Sequence, residues 1–236
     1  MVKGFKFFAF YAGVAALALG CSFSNENITV FSYSYEFSQS DEGWEGDFAD
    51  YPENDSIFYE LKFKYDTVPG TSGNRKGLML SGNNHSDDLF MFVRKKLTGL
   101  KPNTTYRVLF NVRLASREKT GAVGAGGAPG ESVFVKAGVS RLQPKKMLTD
   151  GTYRMNVNIG SQAEAGSDAL VLGHIGVNAT TSSFTEIFRN NNSASSFLVT
   201  TGQNGEVWVF IGTDSGYEGI TTVYYTSIDI FFNEAE

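Results

Sequence analysis

Hydrophobic and polar residues alternate along this chain in short runs, with no sustained helical spacing. The clearest run is Tyr106-Arg107-Val108-Leu109-Phe110-Asn111-Val112-Arg113-Leu114, in which Tyr106, Val108, Phe110, Val112 and Leu114 share one side of a strand. That side belongs in a core. The run Val207-Trp208-Val209-Phe210-Ile211 is apolar on both sides, which predicts a central strand covered on each face, with Trp208 packed inside. Further strands are predicted at Ile28 to Phe37, Phe58 to Tyr65, Leu89 to Lys96, Ser132 to Val139, Tyr153 to Ile159, Ala169 to Leu172, Ser196 to Thr200 and Thr222 to Phe232.

Composition sharpens this picture. The chain holds 26 Gly, 20 Phe and 11 Tyr against five Pro, which favours strands joined by tight turns. No Pro-rich or Ser-rich linker divides it, and no internal repeat is present. The expected fold is all-β, a two-sheet antiparallel β-sandwich of jelly-roll type spanning residues 28–236 as one domain. The tract from Gly121 to Gly130 reads as a flexible loop, because it lacks the Lys-Ser/Thr ending of a phosphate-binding loop.

The N-terminus departs from this pattern. Lys3 and Lys6 precede an apolar run from Phe7 to Leu19, which is short of the roughly 20 residues that cross a bilayer. Residues 1–20 therefore read as a signal peptide. Ala18-Leu19-Gly20-Cys21 resembles the lipobox of bacterial lipoproteins. The resemblance implies lipidation of Cys21, a tether over 21–27, and, with Ser22 following the cysteine, anchoring to the cell envelope at the outer membrane. Ala18 and Leu19 reverse the commoner order, which leaves ordinary signal-peptidase cleavage as the alternative. Cys21 is the sole cysteine, so no intramolecular disulfide braces the domain.

Charge narrows the partners. Without Lys3 and Lys6 the chain has 18 basic and 25 acidic residues, a balance of −7. Nucleic acid is not expected as a partner, and contact with a membrane is expected through the lipid alone.

Three segments resemble galactose-binding-like jelly rolls of the carbohydrate-binding-module type. Tyr35-Glu36-Phe37 leads through a polar turn to Gly43-Trp44; Leu97-Thr98-Gly99-Leu100-Lys101-Pro102-Asn103-Thr104-Thr105-Tyr106 is similar to their turn into a long strand; Tyr225-Thr226-Ser227-Ile228-Asp229-Ile230 is similar to their closing strand. The resemblance implies the architecture first and a glycan ligand second. It also implies a structural calcium ion between first and last strands, for which Glu36 and Asp229 are the candidates. The segments Asp47 to Pro52, Gly82 to Asp88 and Thr213 to Gly219 resemble a group of exported bacterial proteins, without implying an activity.

Three polar clusters are candidates for ligand binding. Asn83, Asn84, His85, Asp87 and Asp88 form the densest, offering oxygen ligands for calcium or hydrogen bonds for sugar hydroxyls; the alternative is an Asx-rich turn satisfying its own backbone. Asp47, Asp50 and Tyr51 beside Trp44 form the second, where Trp44 either offers a stacking platform or packs in the core. Asp214, Tyr217 and Glu218 form the third. Together they combine aromatic rings with carboxylates and amides, the mixture that binds polyhydroxylated ligands.

Catalytic signatures are sparse. His85 and His174 are the only histidines, and neither a Gly-x-Ser-x-Gly elbow nor a zinc-binding His-Glu-x-x-His motif occurs. The sequence thus predicts a lipid-anchored, non-catalytic envelope protein that binds a glycan. Two alternatives stand beside it: an assembly protein docking on an envelope partner, and a glycoside hydrolase using two loop carboxylates.

Overall fold

The computed structural model describes residues 29–235 apart from 72, 179, 181, 182, 193, 194 and 196. The expected signal peptide, Cys21 and the tether lie outside the described residues. No helix among the described residues is long and apolar enough to cross a membrane.

The chain opens with β1 (Val30–Glu36), β2 (Glu45–Ala49) and β3 (Tyr51–Pro52), followed by a 3-10 turn at Glu53–Asp55. Next come β4 (Lys62–Thr67), β5 (Lys76–Asn83), β6 (Leu89–Leu97) and β7 (Thr105–Ser116). They are followed by β8 (Val133–Ser140), β9 (Lys146–Thr149), β10 (Thr152–Met155) and β11 (Ala169–His174). The last four are β12 (Thr185–Asn190), β13 (Phe197–Thr200), β14 (Val207–Ser215) and β15 (Ile220–Glu234).

These strands build the expected antiparallel sandwich. A seven-stranded sheet runs β12-β7-β15-β5-β4, with β13 also on β7 and β1 also on β15. β5 occupies the first half of one β15 edge, Ile220 to Tyr225, and β1 the second half, Ser227 to Asn233. A five-stranded sheet runs β11-β8-β14-β6-β2, and a small third sheet runs β3-β10-β9.

The core lies between the two large sheets. Tyr106, Val108, Phe110, Val112 and Leu114 of β7 are all fully buried, as their alternation predicts, and meet Val93, Val209 and Ile211 from the facing sheet. Burying each such side chain is worth about 1.5–3 kcal/mol relative to leaving it exposed. The turn into β7 is fixed by hydrogen bonds. Lys101 N–H donates to the Tyr106 hydroxyl oxygen at 2.9 Å, and the Thr201 hydroxyl donates to Lys101 O at 2.7 Å.

The outward face of the five-stranded sheet positions the functional site. Phe90, Phe92 and Phe210 lie on it and are covered by Val157 and Ile159, with Met155 packed alongside. This cover ends short of Trp208, which lies two residues earlier on β14 and stays part-exposed. The predicted double-sided burial therefore holds for Phe210 and fails for Trp208.

Other boundaries also shift. The strand expected from Phe58 starts at Lys62, because Ser56 to Glu60 forms turns and Glu60 takes a left-handed φ of 47°. The strand expected to run to Ile159 ends at Met155; the Asn158 carboxamide then accepts from Gly160 N–H at 3.0 Å and turns the chain. β2, β3, β5, β9 and β12 were not predicted.

Candidate functional site

One end of the sandwich gathers the loops that follow β2, β5, β10 and β14. Asp50 sits between β2 and β3 with a left-handed φ of 61°, a conformation that Asp tolerates better than most residues. Its N–H donates to Tyr153 O at 2.6 Å, which ties the β2 end to β10. Asp88 is the residue before β6 begins, and Arg154 lies on β10.

Arg154 brings the two carboxylates together. Its Nη1 lies 3.2 Å from Asp88 Oδ2 and 3.9 Å from Asp50 Oδ1. These three side chains, with Asn158, Gly160 and Ser161, line an open cleft of about 330 Å3. Burial raises the Asp50 carboxyl to about 7; the negative charges of Asp88 and Asp214 add to the rise, and Arg154 opposes it. Burial and Asp214 also raise Asp88, again against Arg154. Near neutral pH the cleft thus holds a carboxyl that both donates and accepts hydrogen bonds, next to an acceptor and a planar donor.

A buried ion pair holds the segment beyond the cleft. Lys136 on β8 donates to Asp214 Oδ2 at 2.8 Å, to Ile159 O at 2.9 Å and to Glu164 O at 3.0 Å. Gln162 N–H donates to the same Asp214 oxygen at 2.8 Å, and its carboxamide donates to Asp87 O at 3.0 Å. The 159–164 segment is therefore pinned to both large-sheet strands and to the Asp87 turn.

The loop from Gly121 to Gly130, expected to be flexible, packs into this end by hydrogen bonding. Glu218 N–H donates to Ala125 O at 2.9 Å, and Gly121 N–H donates to Glu131 Oε2 at 2.9 Å. Gly126 has a φ of 68°, and a β-carbon there would collide with the carbonyl oxygen of Gly216.

The remaining predicted residues divide by environment. Asn84 is buried and acts on the loop itself, donating to Ser215 O at 2.8 Å and Tyr217 O at 3.0 Å. The Tyr217 ring lies against Gly124 and Gly219, and Glu218 is exposed on the same loop. Asp87 is exposed beside the cleft with a φ of 57°. His85 is exposed and turned aside, its Nε2 3.1 Å from Phe58 O and its ring edge-on to Tyr59. Asn83 donates to Glu60 Oε1 at 3.3 Å.

Of the second group only Asp50 joins the cleft. Asp47 accepts from Arg94 at 3.2 Å, and the buried Tyr51 hydroxyl accepts from Lys146 Nζ at 2.8 Å. Trp44 is corrected from a stacking platform to a core residue, since it is 2% exposed and wedged edge-on against Tyr35 and Phe37. A ring with no free face cannot stack on a sugar.

Glu36 and Asp229 lie elsewhere, on the paired β1 and β15. Glu36 is opposite Ser227, and Asp229 is opposite Ser34, whose hydroxyl donates to it. No group of three or more His, Cys, Asp or Glu side chains among the described residues could hold a metal ion.

Sequence reasoning missed Arg154, Lys136, Gln162 and Asn158. Only Lys136 left a signal, as a single charge inside the apolar run Val133 to Val139.

No family model matches the chain, and no curated protein matches it. Solved structures show a distant similarity to the chain. A carbohydrate-binding module that recognises mannan, TmCBM27, is 12% identical with a TM-score of 0.41, over 88% of this chain and 99% of that one. The CBM22-1–GH10 modules of Clostridium thermocellum xylanase 10B, complexed with xylohexaose, are 12% identical with a TM-score of 0.40, over 86% of this chain and 28% of that one. A candidate sugar-binding protein from Bacteroides thetaiotaomicron is 10% identical with a TM-score of 0.40, over 85% and 92%. Neither a function nor a site residue follows from these similarities.

Proposed function

We propose that this is a lipid-anchored, non-catalytic protein of the cell envelope whose jelly-roll domain binds a glycan or another polyhydroxylated ligand. The observation that carries the reading is the meeting of Asp50, Asp88 and Arg154 around one open cleft. Sugars present vicinal hydroxyls that each donate and accept. The Asp50 carboxyl, raised to about 7, the Asp88 carboxyl, a guanidinium and the Asn158 carboxamide supply matching partners from separate strands and loops. Pinning by Lys136 and Gln162 fixes part of this geometry before the ligand arrives, which lowers the entropic cost of binding.

Anchoring rests on the sequence from Lys3 to Cys21, in which the only thiol stands at the lipid-acceptor position. Cys21→Ser is expected to abolish palmitate incorporation and release the protein from the membrane fraction.

Affinity electrophoresis of the Cys21→Ser protein against a panel of soluble polysaccharides tests the ligand. Retardation by at least one glycan is expected, with Asp88→Asn or Arg154→Gln weakening it about 10- to 100-fold, the scale of a lost charged hydrogen bond. Equal retardation of both variants and the parent protein would refute the cleft as the site. The raised Asp50 beside Asp88 also suits acid–base chemistry. Release of reducing ends from a retarding glycan, abolished in Asp50→Asn, would replace binding with hydrolysis.

A further inference from the structure

We infer that a second glycan site lies at the opposite end of the five-stranded sheet's outward face, with Trp208 as its stacking ring. It shares a ligand class with the cleft and rests on different residues. On that face Trp208 stands between Lys96 of β6 and Ser140 of β8, its register partners. Phe210, on the same side of β14, is fully covered, whereas Trp208 lies beyond the cover and remains part-exposed. No group among the described residues accepts from its indole N–H.

A groove of about 230 Å3 opens beside the ring, lined by Arg141, Gln203, Asn204, Glu206 and Lys96. Lys96 Nζ lies 2.8 Å from Glu206 Oε2, so these two charges hold each other at the rim. Gln203 and Asn204 are exposed on a loop that is locked in place. Leu100 N–H donates to Gly205 O at 3.2 Å, and Thr201 N–H donates to Thr104 O at 3.0 Å. A part-exposed indole, two exposed amides on a fixed loop and the Arg141 guanidinium match a pyranose. The ring's C–H face stacks on the indole, and its hydroxyls meet the amides. With Lys96 and Glu206 paired, the groove carries no carboxylate cluster to attract a cation. Its ligand is a neutral pyranose chain.

The two tryptophans make this site directly readable. Trp44 is 2% exposed and shielded from acrylamide, so the quenchable emission belongs to Trp208. Stern–Volmer quenching of the Cys21→Ser protein is measured with and without millimolar xylohexaose, mannohexaose or cellohexaose, alongside calorimetry. At least one oligosaccharide is expected to lower the quenching constant at least twofold, and to do so equally in Asp88→Asn. In calorimetry, Trp208→Ala is expected to weaken the groove's share of the binding more than tenfold and to leave the share that Asp88→Asn removes. Trp208→Phe, which keeps a ring and guards against misfolding of the alanine variant, is expected to bind at an intermediate level. Asn204→Ala should weaken the same quenching response. Binding that leaves Trp208 quenching unchanged, or that survives Trp208→Ala at full strength, would overturn the groove while leaving the cleft standing. Binding lost in Trp208→Ala and intact in Asp88→Asn and Arg154→Gln would remove the cleft and keep the groove. Absence of binding by all three oligosaccharides would overturn the groove.

Discussion

Lys136 and Asp214 face each other diagonally across β8 and β14 at 2.8 Å, with side chains 0% and 1% exposed. Placing a full ion pair in a sheet is costly, and strong local hydrogen bonding must offset the lost hydration. Here the Lys136 ammonium has three acceptors, Asp214, Ile159 O and Glu164 O, which satisfies all its protons.

Breaking the pair should therefore be severe. Lys136→Met is expected to destabilise the fold by about 3–5 kcal/mol, because Asp214 is left charged and buried. Adding Asp214→Leu should recover part of that loss, since no unpaired charge remains. Urea unfolding of both variants measures the coupling, and simple additivity of the two substitutions would contradict it.

Asp50 predicts a pH effect of defined sign. Its folded pKa, about 7, lies above the ordinary 3.8, so the native state holds a proton that the unfolded chain has released. Its contribution to stability is full below about pH 4 and is lost as pH rises through about 7. Asp50→Asn keeps the neutral form at every pH and tolerates a left-handed φ. The variant should unfold at higher temperature than wild type at pH 8, with the gap closing towards pH 4. A gap independent of pH would contradict the assigned protonation.

Gly126 and Gly121 separate two kinds of constraint. Both have positive φ, 68° and 74°, but a β-carbon at Gly126 meets Gly216 O while one at Gly121 meets nothing within 4 Å. Gly126→Ala is expected to cost clearly more than Gly121→Ala, which should cost about 1 kcal/mol from backbone strain alone. Thermal denaturation gives the stability difference. Glycan retardation should fall for Gly126→Ala only, because its loop contacts Glu218 and Asp87.

Legibility followed the local chemistry of each segment. β7 could be read residue by residue because one face is wet and the other buried. β5 could not: Gly77 and Gly82 weaken its strand signal, and its Leu78, Met79 and Leu80 are buried on both sides without alternating. β2 was hidden by Glu45, Gly46 and Asp47, residues that also mark turns. The acidic loops were visible as clusters, and Asp50, Asp88 and Asp214 do come near one another. Arg154 was not visible, since a lone arginine in a four-residue strand resembles any solvated side chain. Of the two tryptophans, Trp44 was left open between platform and core, and Trp208 was misjudged as packed inside. Trp44 follows a polar turn and still folds inward, whereas Trp208 sits in an apolar run whose outer cover stops short of it. How far the outer cover reaches along β14 is set by the 155–159 segment, a tertiary fact that the sequence around Trp208 does not encode.

The long strand β15 has a mechanical consequence. It begins at Ile220 beside the cleft end and finishes at Glu234, where Glu234 N–H donates to Thr29 O. At about 3.3 Å per residue the two ends stand roughly 45 Å apart. Tension between a chain entering at Thr29 and a load held in the cleft would pull along the strands. β1 is paired with β15 from Val30 to Glu36, so its hydrogen bonds would be sheared together instead of peeled one by one. Such loading resists force far better than unzipping, and it is the loading that the proposed anchor and the proposed polymer ligand would impose together.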